Sequence, residues 1–236
     1  MIRGEGAWRG RGARGIVASV LGGASLFVWV ALLWMSRPFQ TELGAYRTSL
    51  ADRTAAQRHN IQQAVKALDG VVIEPGATFS FNETVGPRTP ERGYRQAPAF
   101  LERDLVTSVG GGICQVSSTL YNAAALSGLA IVERHPHFRR VASVPPGRDA
   151  TVWYGMADLR LANRSPHPVR LSLAVGHEAL SAAIEGNRRG AARIRVETTA
   201  QTPSMLGSSS FETVRRTTLA GEPALQEVLS RDVYRN

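Results

Sequence analysis

The chain has 236 residues, of which 43% are hydrophobic and 20% charged, and it carries a formal net charge of +9. That is the composition of a folded chain with room for one substantial domain and a small appendage, and it excludes a disordered protein. A single cysteine, Cys114, excludes an internal disulfide, and no CxxC pair or Cys/His quartet points to structural zinc. The positive charge is almost all arginine, Lys66 being the only lysine. The arginines are scattered, and Arg3, Arg9, Arg11 and Arg14 crowd the first 15 residues, so the charge gives no reason to expect a nucleic-acid partner.

Residues 1–15 form a basic N-terminus. Residues 16–35, IVASVLGGASLFVWVALLWM, are uncharged over 20 positions. As a helix rising about 1.5 Å per residue they would span a bilayer core of about 30 Å. Arginines precede the stretch and Trp29 and Trp34 lie in its second half, so the N-terminus is expected inside the cytoplasmic membrane and the remainder outside. A cleaved signal peptide would have a shorter apolar region and a small-x-small site, which LLWMSRPF lacks. The expectation is one uncleaved transmembrane anchor, with residues 36–52 as a linker.

Residues 53–69, RTAAQRHNIQQAVKALD, place Ala56, Ile61, Ala64, Val65 and Leu68 on one helical stripe, closed by Gly70. Residues 71–73 and 77–81 are strand-like around a Pro75-Gly76 turn. Residues 86–98, GPRTPERGYRQAP, read as a long surface loop of the kind that often carries function. A helix is predicted from about Gln115 to Ser127, with Val116, Leu120, Ala123 and Ala124 on one face and Gly128 as its stop. Residues 129–134 and 150–155 are expected as strands, with loops at HPHFRR and VPPGRD. Beyond residue 158 the pattern becomes two-fold: Val169, Leu171, Leu173 and Val175, then Leu180, Ala182 and Ile184. The fold class expected is α+β: a single ectodomain with an antiparallel sheet and a few helices over 53–188, then a β-rich C-terminal extension over 189–236.

GGGICQVSS, residues 110–118, raises the question of chemistry. Glycines ahead of a helix let backbone amides converge, and the helix start adds partial positive charge. Both lower a thiol pKa, and the thiolate is the reactive form. The same amides suit an oxyanion hole, with Gly111, Gly112 and Ile113 as candidates, and the Cys114 amide beside them. A small buried residue beside a tight turn is the alternative reading of Cys114. A thiol nucleophile needs a base and a group to orient it. His135 and His137 are candidate bases and Asp149 the candidate orienting group. One cysteine and two histidines could also form an open zinc site, but HPHF reads as a loop and no HExxH is present, so neither metal nor cofactor is expected.

The segments IEPGATFSFNETVGPRTPERGY, GGGICQVSSTLYNAA, IVERHPHF and VPPGRDATVWYG resemble the VanW family of bacterial envelope proteins. The resemblance covers roughly residues 53–188, and the tail is similar to the segment C-terminal to this domain in that family. The family is named for its association with glycopeptide-resistance clusters, and some members resemble L,D-transpeptidases with the cysteine of a G-G-[IV]-C-Q motif as nucleophile. That implies Cys114 as nucleophile, ranks His137 above His135 as base, and implies peptidoglycan stem peptides as substrate. Substrate contacts are expected from Arg88, Arg92, Tyr94 and Arg95 in the 86–98 loop, and from Gln115, Ser117, Ser118 and Arg148. The alternative is a non-catalytic envelope module that binds cell-wall fragments or precursors.

Overall fold

The two-fold stretch folds as an antiparallel pair, β8 (Val169–Val175) and β9 (Ala179–Gly186), joined through Gly176, whose amide donates to the Ala179 carbonyl at 2.8 Å. Val169, Leu171 and Leu173 point inward from one strand and Leu180, Ala182 and Ile184 from the other. Each large aliphatic side chain so buried contributes about 1.5–3 kcal/mol. A computed structural model describes residues 1, 39–101, 104–187, 192–202 and 207–235 of the chain. The predicted anchor at 16–35 lies outside the described residues. Among the described residues no helix is long and apolar enough to cross a membrane.

Strand β1 (Thr41–Ser49) pairs along the free edge of β9, and the short β2 (Val72–Ile73) pairs with β8, giving the order β1-β9-β8-β2. Residues 36–52, expected to be a linker, therefore supply an edge strand of the main sheet. The sequence TELGAYRTS hides this because most of the strand is only half-buried, so no apolar alternation marks it. Three smaller sheets complete the architecture. β3 (Thr78–Ser80), β7 (Arg160–Ala162) and β6 (Ala130–Glu133) form one in the order β3-β7-β6. β4 (Gln96–Leu101) and β5 (Asp104–Val109) form a hairpin, so the predicted loop at 86–98 ends inside a strand and also contains a 3-10 turn at Pro90–Arg92. β10 (Arg193–Gln201), β11 (Ser208–Thr218) and β12 (Leu225–Arg235) form the last sheet. Residues 150–155, expected as a strand, make only isolated bridges, His135 with Thr151 and Trp153 with Ala157. All the ladders are antiparallel.

Three helices lie among the described residues. α1 (Ala55–Leu68) opens with a capping box in which Thr54 and Gln57 satisfy each other's backbone amides, and it buries Ile61, Ala64, Val65 and Leu68 as the periodicity predicts. α2 (Phe81–Val85) is short and capped by Ser80. α3 (Ile113–Ser127) begins after Gly112 (φ +102°) and stops at Gly128 (φ +89°), two residues earlier at its start than the apolar pattern suggests. It is not the one-faced amphipathic helix expected. Every residue of α3 is buried except Cys114 and Leu126.

The sheet reaches α3 by backbone contact. At Gly44, beside a register shift in β1, an added Cβ would lie 2.5 Å from the Ser127 amide nitrogen and 2.6 Å from the Leu126 carbonyl carbon. Both are backbone atoms, so neither can swing aside. Gly44→Ala should therefore push β1 off α3 and cost about 1–3 kcal/mol, read as a lower midpoint in urea unfolding of the full-length chain. An unchanged midpoint would mean that this close approach does not hold the sheet to the helix.

Candidate active site at the start of the buried helix

Because α3 is enclosed, its polar side chains must find partners inside the protein. Gln115 donates to Thr48 Oγ1 at 2.9 Å and to the Ser49 carbonyl at 2.7 Å, and accepts from Arg53 Nε at 2.5 Å. Thr119 Oγ1 shares a hydrogen bond with Thr48 Oγ1 at 2.9 Å. Ser117 Oγ donates to the Ala150 carbonyl at 2.6 Å, and the Ala150 amide donates to Ser118 Oγ at 2.9 Å. Asn122 accepts from Arg148 Nε and donates to the Arg148 carbonyl at 2.7 Å. Gln115, Ser117, Ser118 and Arg148, expected to contact substrate, are thus committed to holding β1 and the 148–152 segment against the helix. Arg148 also donates to the Val196 carbonyl at 2.9 Å.

That clamp brings Asp149 and Val152 to the first turn of α3. The Cys114 thiol lies 3.7 Å from the Val152 carbonyl. Asp149, whose side chain is 1% exposed, accepts from His137 twice, from its backbone amide at 2.7 Å and from its ring Nδ1 at 2.6 Å. Nδ1 is engaged by Asp149, and the imidazole is close enough to Cys114 to interact with its thiol. Cys114, His137 and Asp149 therefore come together, with the imidazole between the thiol and the carboxylate. His135 does not join them: its ring is half exposed and sits 2.9 Å from Glu133 Oε1. The described residues hold no cluster of three or more His, Cys, Asp or Glu side chains placed to share a metal ion.

Two further groups hold the carboxylate, and the sequence pattern did not flag them. Arg134 donates to Asp149 Oδ1 at 3.0 Å and to Asp232 Oδ1 at 2.6 Å, with all three side chains almost fully buried. Tyr234 donates its hydroxyl to Asp149 Oδ1 at 2.5 Å and accepts from the Gly147 amide at 2.7 Å. Asp232 and Tyr234 belong to β12, so the C-terminal extension completes the site. The one available signal was that SRDVYRN alternates two-fold and places Asp232 and Tyr234 on the same side of a strand. At the other end of α3, Arg215 of β11 donates to the Leu129 carbonyl at 2.7 Å and to the Ala125 carbonyl at 3.4 Å, satisfying groups the helix end leaves open.

The oxyanion candidates divide. The Ile113 amide donates to the Gly110 carbonyl at 3.2 Å and the Gly111 amide to the Ser108 carbonyl at 3.4 Å. The amides of Gly112 and Cys114 donate to no backbone carbonyl among the described residues. Gly111 is buried against β4, where a Cβ would lie 2.5 Å from both the Ala97 and Pro98 carbonyl oxygens. In the 86–98 segment, Tyr94 is buried, Arg95 is exposed, and Arg92 donates to the Val85 carbonyl at 3.1 Å. Arg88 sits against the turn that leads to Cys114.

The electrostatics follow from this packing. Burial pushes the Cys114 thiol up, but its hydrogen bond to His137 and the nearby positive charge outweigh burial and bring it below its ordinary value. Burial pushes His137 down, and the Asp149 carboxylate with the thiol more than reverses this, raising the imidazole to about 9. Asp149 is itself held low, since burial is outweighed by His137 and Arg134. The two shifts have opposite sign and both favour a thiolate beside an imidazolium. Iodoacetamide should alkylate Cys114 at pH values below the ordinary thiol range of about 8.5, and His137→Gln should move that profile upward. A raised histidine stabilises the fold fully below its unfolded pKa of 6.5, and this contribution is lost as pH rises through about 9. The lowered thiol acts in the opposite sense, gaining stability as pH rises, so wild-type urea midpoints should change little across that interval, whereas those of Cys114→Ala, which keeps only the histidine, should fall. Tyr234→Phe leaves the Gly147 amide without its acceptor and Asp149 without one donor; it should cost about 1–3 kcal/mol by the same urea measurement.

A family model described as VanW like protein matches residues 56–185. Among curated proteins, the chain is 48% identical over 128 residues to the "Uncharacterized protein YoaR" of Bacillus subtilis (strain 168), covering 54% of this chain and 42% of that protein. It is 30% identical over 133 residues to the "Vancomycin B-type resistance protein VanW" of Enterococcus faecalis (strain ATCC 700802 / V583), covering 53% of this chain and 48% of that protein. The match spans less than half the length of either relative. No solved structure matches. Cys114, His137 and Asp149 all fall inside the matched region, while Asp232 and Tyr234 lie beyond it, and the chain belongs to the VanW family.

Proposed function

We propose that this protein is a bacterial envelope enzyme, a cysteine acyltransferase that acts outside the cytoplasmic membrane on peptidoglycan stem peptides. The observation that carries the reading is the Cys114–His137–Asp149 relay at the start of α3, with Nδ1 of the imidazole fixed on a buried carboxylate. The name of the Enterococcus faecalis relative, a vancomycin-resistance protein, supports an envelope-associated role. The apolar stretch at 16–35 supports attachment to the membrane, N-terminus inside.

In the reaction proposed, Cys114 Sγ attacks the carbonyl of an L,D-bond in a stem peptide. The Gly112 and Cys114 amides receive the oxyanion. The S–C bond forms, the C–N bond breaks, and His137 gives its proton to the departing amine. A thioester remains on Cys114. An amine of a neighbouring stem, or water, then attacks it, His137 takes the incoming proton, and the thiolate is released. Asp149 holds the ring in one tautomer and orientation throughout, without exchanging a proton itself.

The test is mass spectrometry of the full-length chain incubated with disaccharide-tetrapeptide muropeptides. An acyl adduct on Cys114, with cross-linked or trimmed products, is expected. Cys114→Ala should abolish both, and His137→Gln should slow adduct formation by about a hundredfold or more. Folded protein that forms no adduct, or an alanine variant that still makes product, would defeat the acyltransferase reading. The former, combined with a slowly alkylating thiol, would favour a non-catalytic module that binds wall fragments.

A further inference from the structure

Arg88 takes no part in thioester formation or release as proposed, yet its surroundings are unusual. It lies between α2 and the 3-10 turn at Pro90–Arg92. Its stem rests on the glycine turn, where a Cβ at Gly110 would come within 2.9 Å of Arg88 Cβ. Its guanidinium stands over the Phe81 ring at 5.5 Å from the centroid. It is close enough to Cys114 for the two charges to interact, with Tyr94, Tyr154 and Asp158 also nearby. Nη1 and Nη2 are both shut off from solvent and hydrogen-bonded to nothing among the described residues.

The arginines whose side chains are buried elsewhere among the described residues do not look like this. Arg134, Arg148 and Arg215 each donate to carboxylates, side-chain amides or carbonyls. Asp158, the carboxylate that reaches Arg88 electrostatically, is committed elsewhere: it accepts from Ser80 Oγ at 2.5 Å, from the Asn82 amide at 2.9 Å and from the Leu159 amide at 2.8 Å. Guanidinium donors shut off from water and left unused are costly to keep. Two parallel Nη donors match the two oxygens of one carboxylate, and a planar fork binds such a group in a fixed orientation.

We propose that Arg88 anchors a carboxylate of the acyl donor, and that this carboxylate is the free C-terminus of the residue expelled when Cys114 attacks. The inference rests on the acyltransferase reading and narrows it to peptides that end one residue beyond the attacked carbonyl. Binding neutralises Arg88, which withdraws its pull on the neighbouring thiolate at the moment of attack. As the S–C bond forms and the C–N bond breaks, His137 passes its proton to the expelled amine. The residue departs as a free amino acid, and its carboxylate leaves Arg88 open for the next donor.

Two measurements on the full-length chain test this. The first compares alkylation of Cys114 by iodoacetate and by iodoacetamide, which differ in a carboxylate beside the reacting carbon. Each variant is measured on the high-pH plateau of its own iodoacetamide profile, so that thiol ionisation does not enter. Arg88→Gln should lower the iodoacetate-to-iodoacetamide rate ratio by about tenfold or more, and Arg88→Lys should restore part of it. A general loss of packing would slow both reagents together, so an unchanged ratio overturns the proposal. The second compares thioester formation from a stem tetrapeptide acid and its C-terminal amide. The wild type should prefer the acid by about a hundredfold, and Arg88→Gln should reduce this to a few-fold. Equal use of both by the wild type overturns the C-terminal assignment. If neither peptide acylates Cys114 while the alkylation ratio still collapses in Arg88→Gln, the carboxylate anchor stands and the acyltransferase reading fails.

Discussion

The enclosure of α3 on every side is the constraint on which the rest of this structure depends. A helix with Gln115, Ser117, Ser118, Thr119 and Asn122 buried would be untenable if those groups went unpaired, at about 1–3 kcal/mol each. Each instead reaches across to a neighbouring segment. Gln115 and Thr119 take β1, Ser117 and Ser118 take Ala150, and Asn122 takes Arg148. The helix is thus a hub of hydrogen bonds as well as an apolar core element. The enclosure loosens at its first turn, where the chain presents its only thiol, and at Leu126 near its end.

A second constraint comes from Asp149. A carboxylate at 1% exposure must be matched by donors or positive charge. His137, Arg134 and Tyr234 supply both, and Arg134 in turn is balanced by Asp232. These links tie Cys114 and His137 to the C-terminal sheet. They also explain why residues beyond the family-matched segment matter to the site: the region that carries the motif supplies the thiol, the imidazole and the carboxylate, while β12 sets the carboxylate in place. Arg215 and Thr213 reinforce the dock, on the helix end and on the Gly147 carbonyl respectively. Arg88 stands outside this network, with Nη1 and Nη2 shut off from solvent and hydrogen-bonded to nothing among the described residues.

Much of this was legible in the residues. The stripe at Ile61, Ala64, Val65 and Leu68 marked α1, the alternation from Val169 to Ile184 marked β8 and β9, and Gly128 marked the end of α3. These are local signals, set by side-chain period and by the backbone freedom of glycine, and they survive in any context. The glycines ahead of Cys114 marked a helix start beside a thiol for the same reason, and residue type and order were enough to offer Cys114, the two histidines His135 and His137, and Asp149 as candidates. Strand β1 left no such trace, since a half-buried edge strand needs no apolar alternation.

What only tertiary structure decided was which of two similar residues does what. His135 and His137 are two residues apart in one loop, and nothing in their spacing separates them; Asp149 does, by taking the ring and the amide of His137 while His135 turns to Glu133. Ser117, Ser118, Gln115 and Arg148 look like surface polar groups in a sequence, because polarity ordinarily signals solvent. Here burial inverts that meaning and makes them structural. Arg88, Arg92 and Arg95 are likewise equivalent in composition, and only packing against Phe81 and Gly110 isolates Arg88 beside the thiol. The sequence by itself determined the local elements and the inventory of chemical groups. The assignment of those groups to partners came from long-range contacts, whose energies depend on burial and distance, and neither is encoded at a single position.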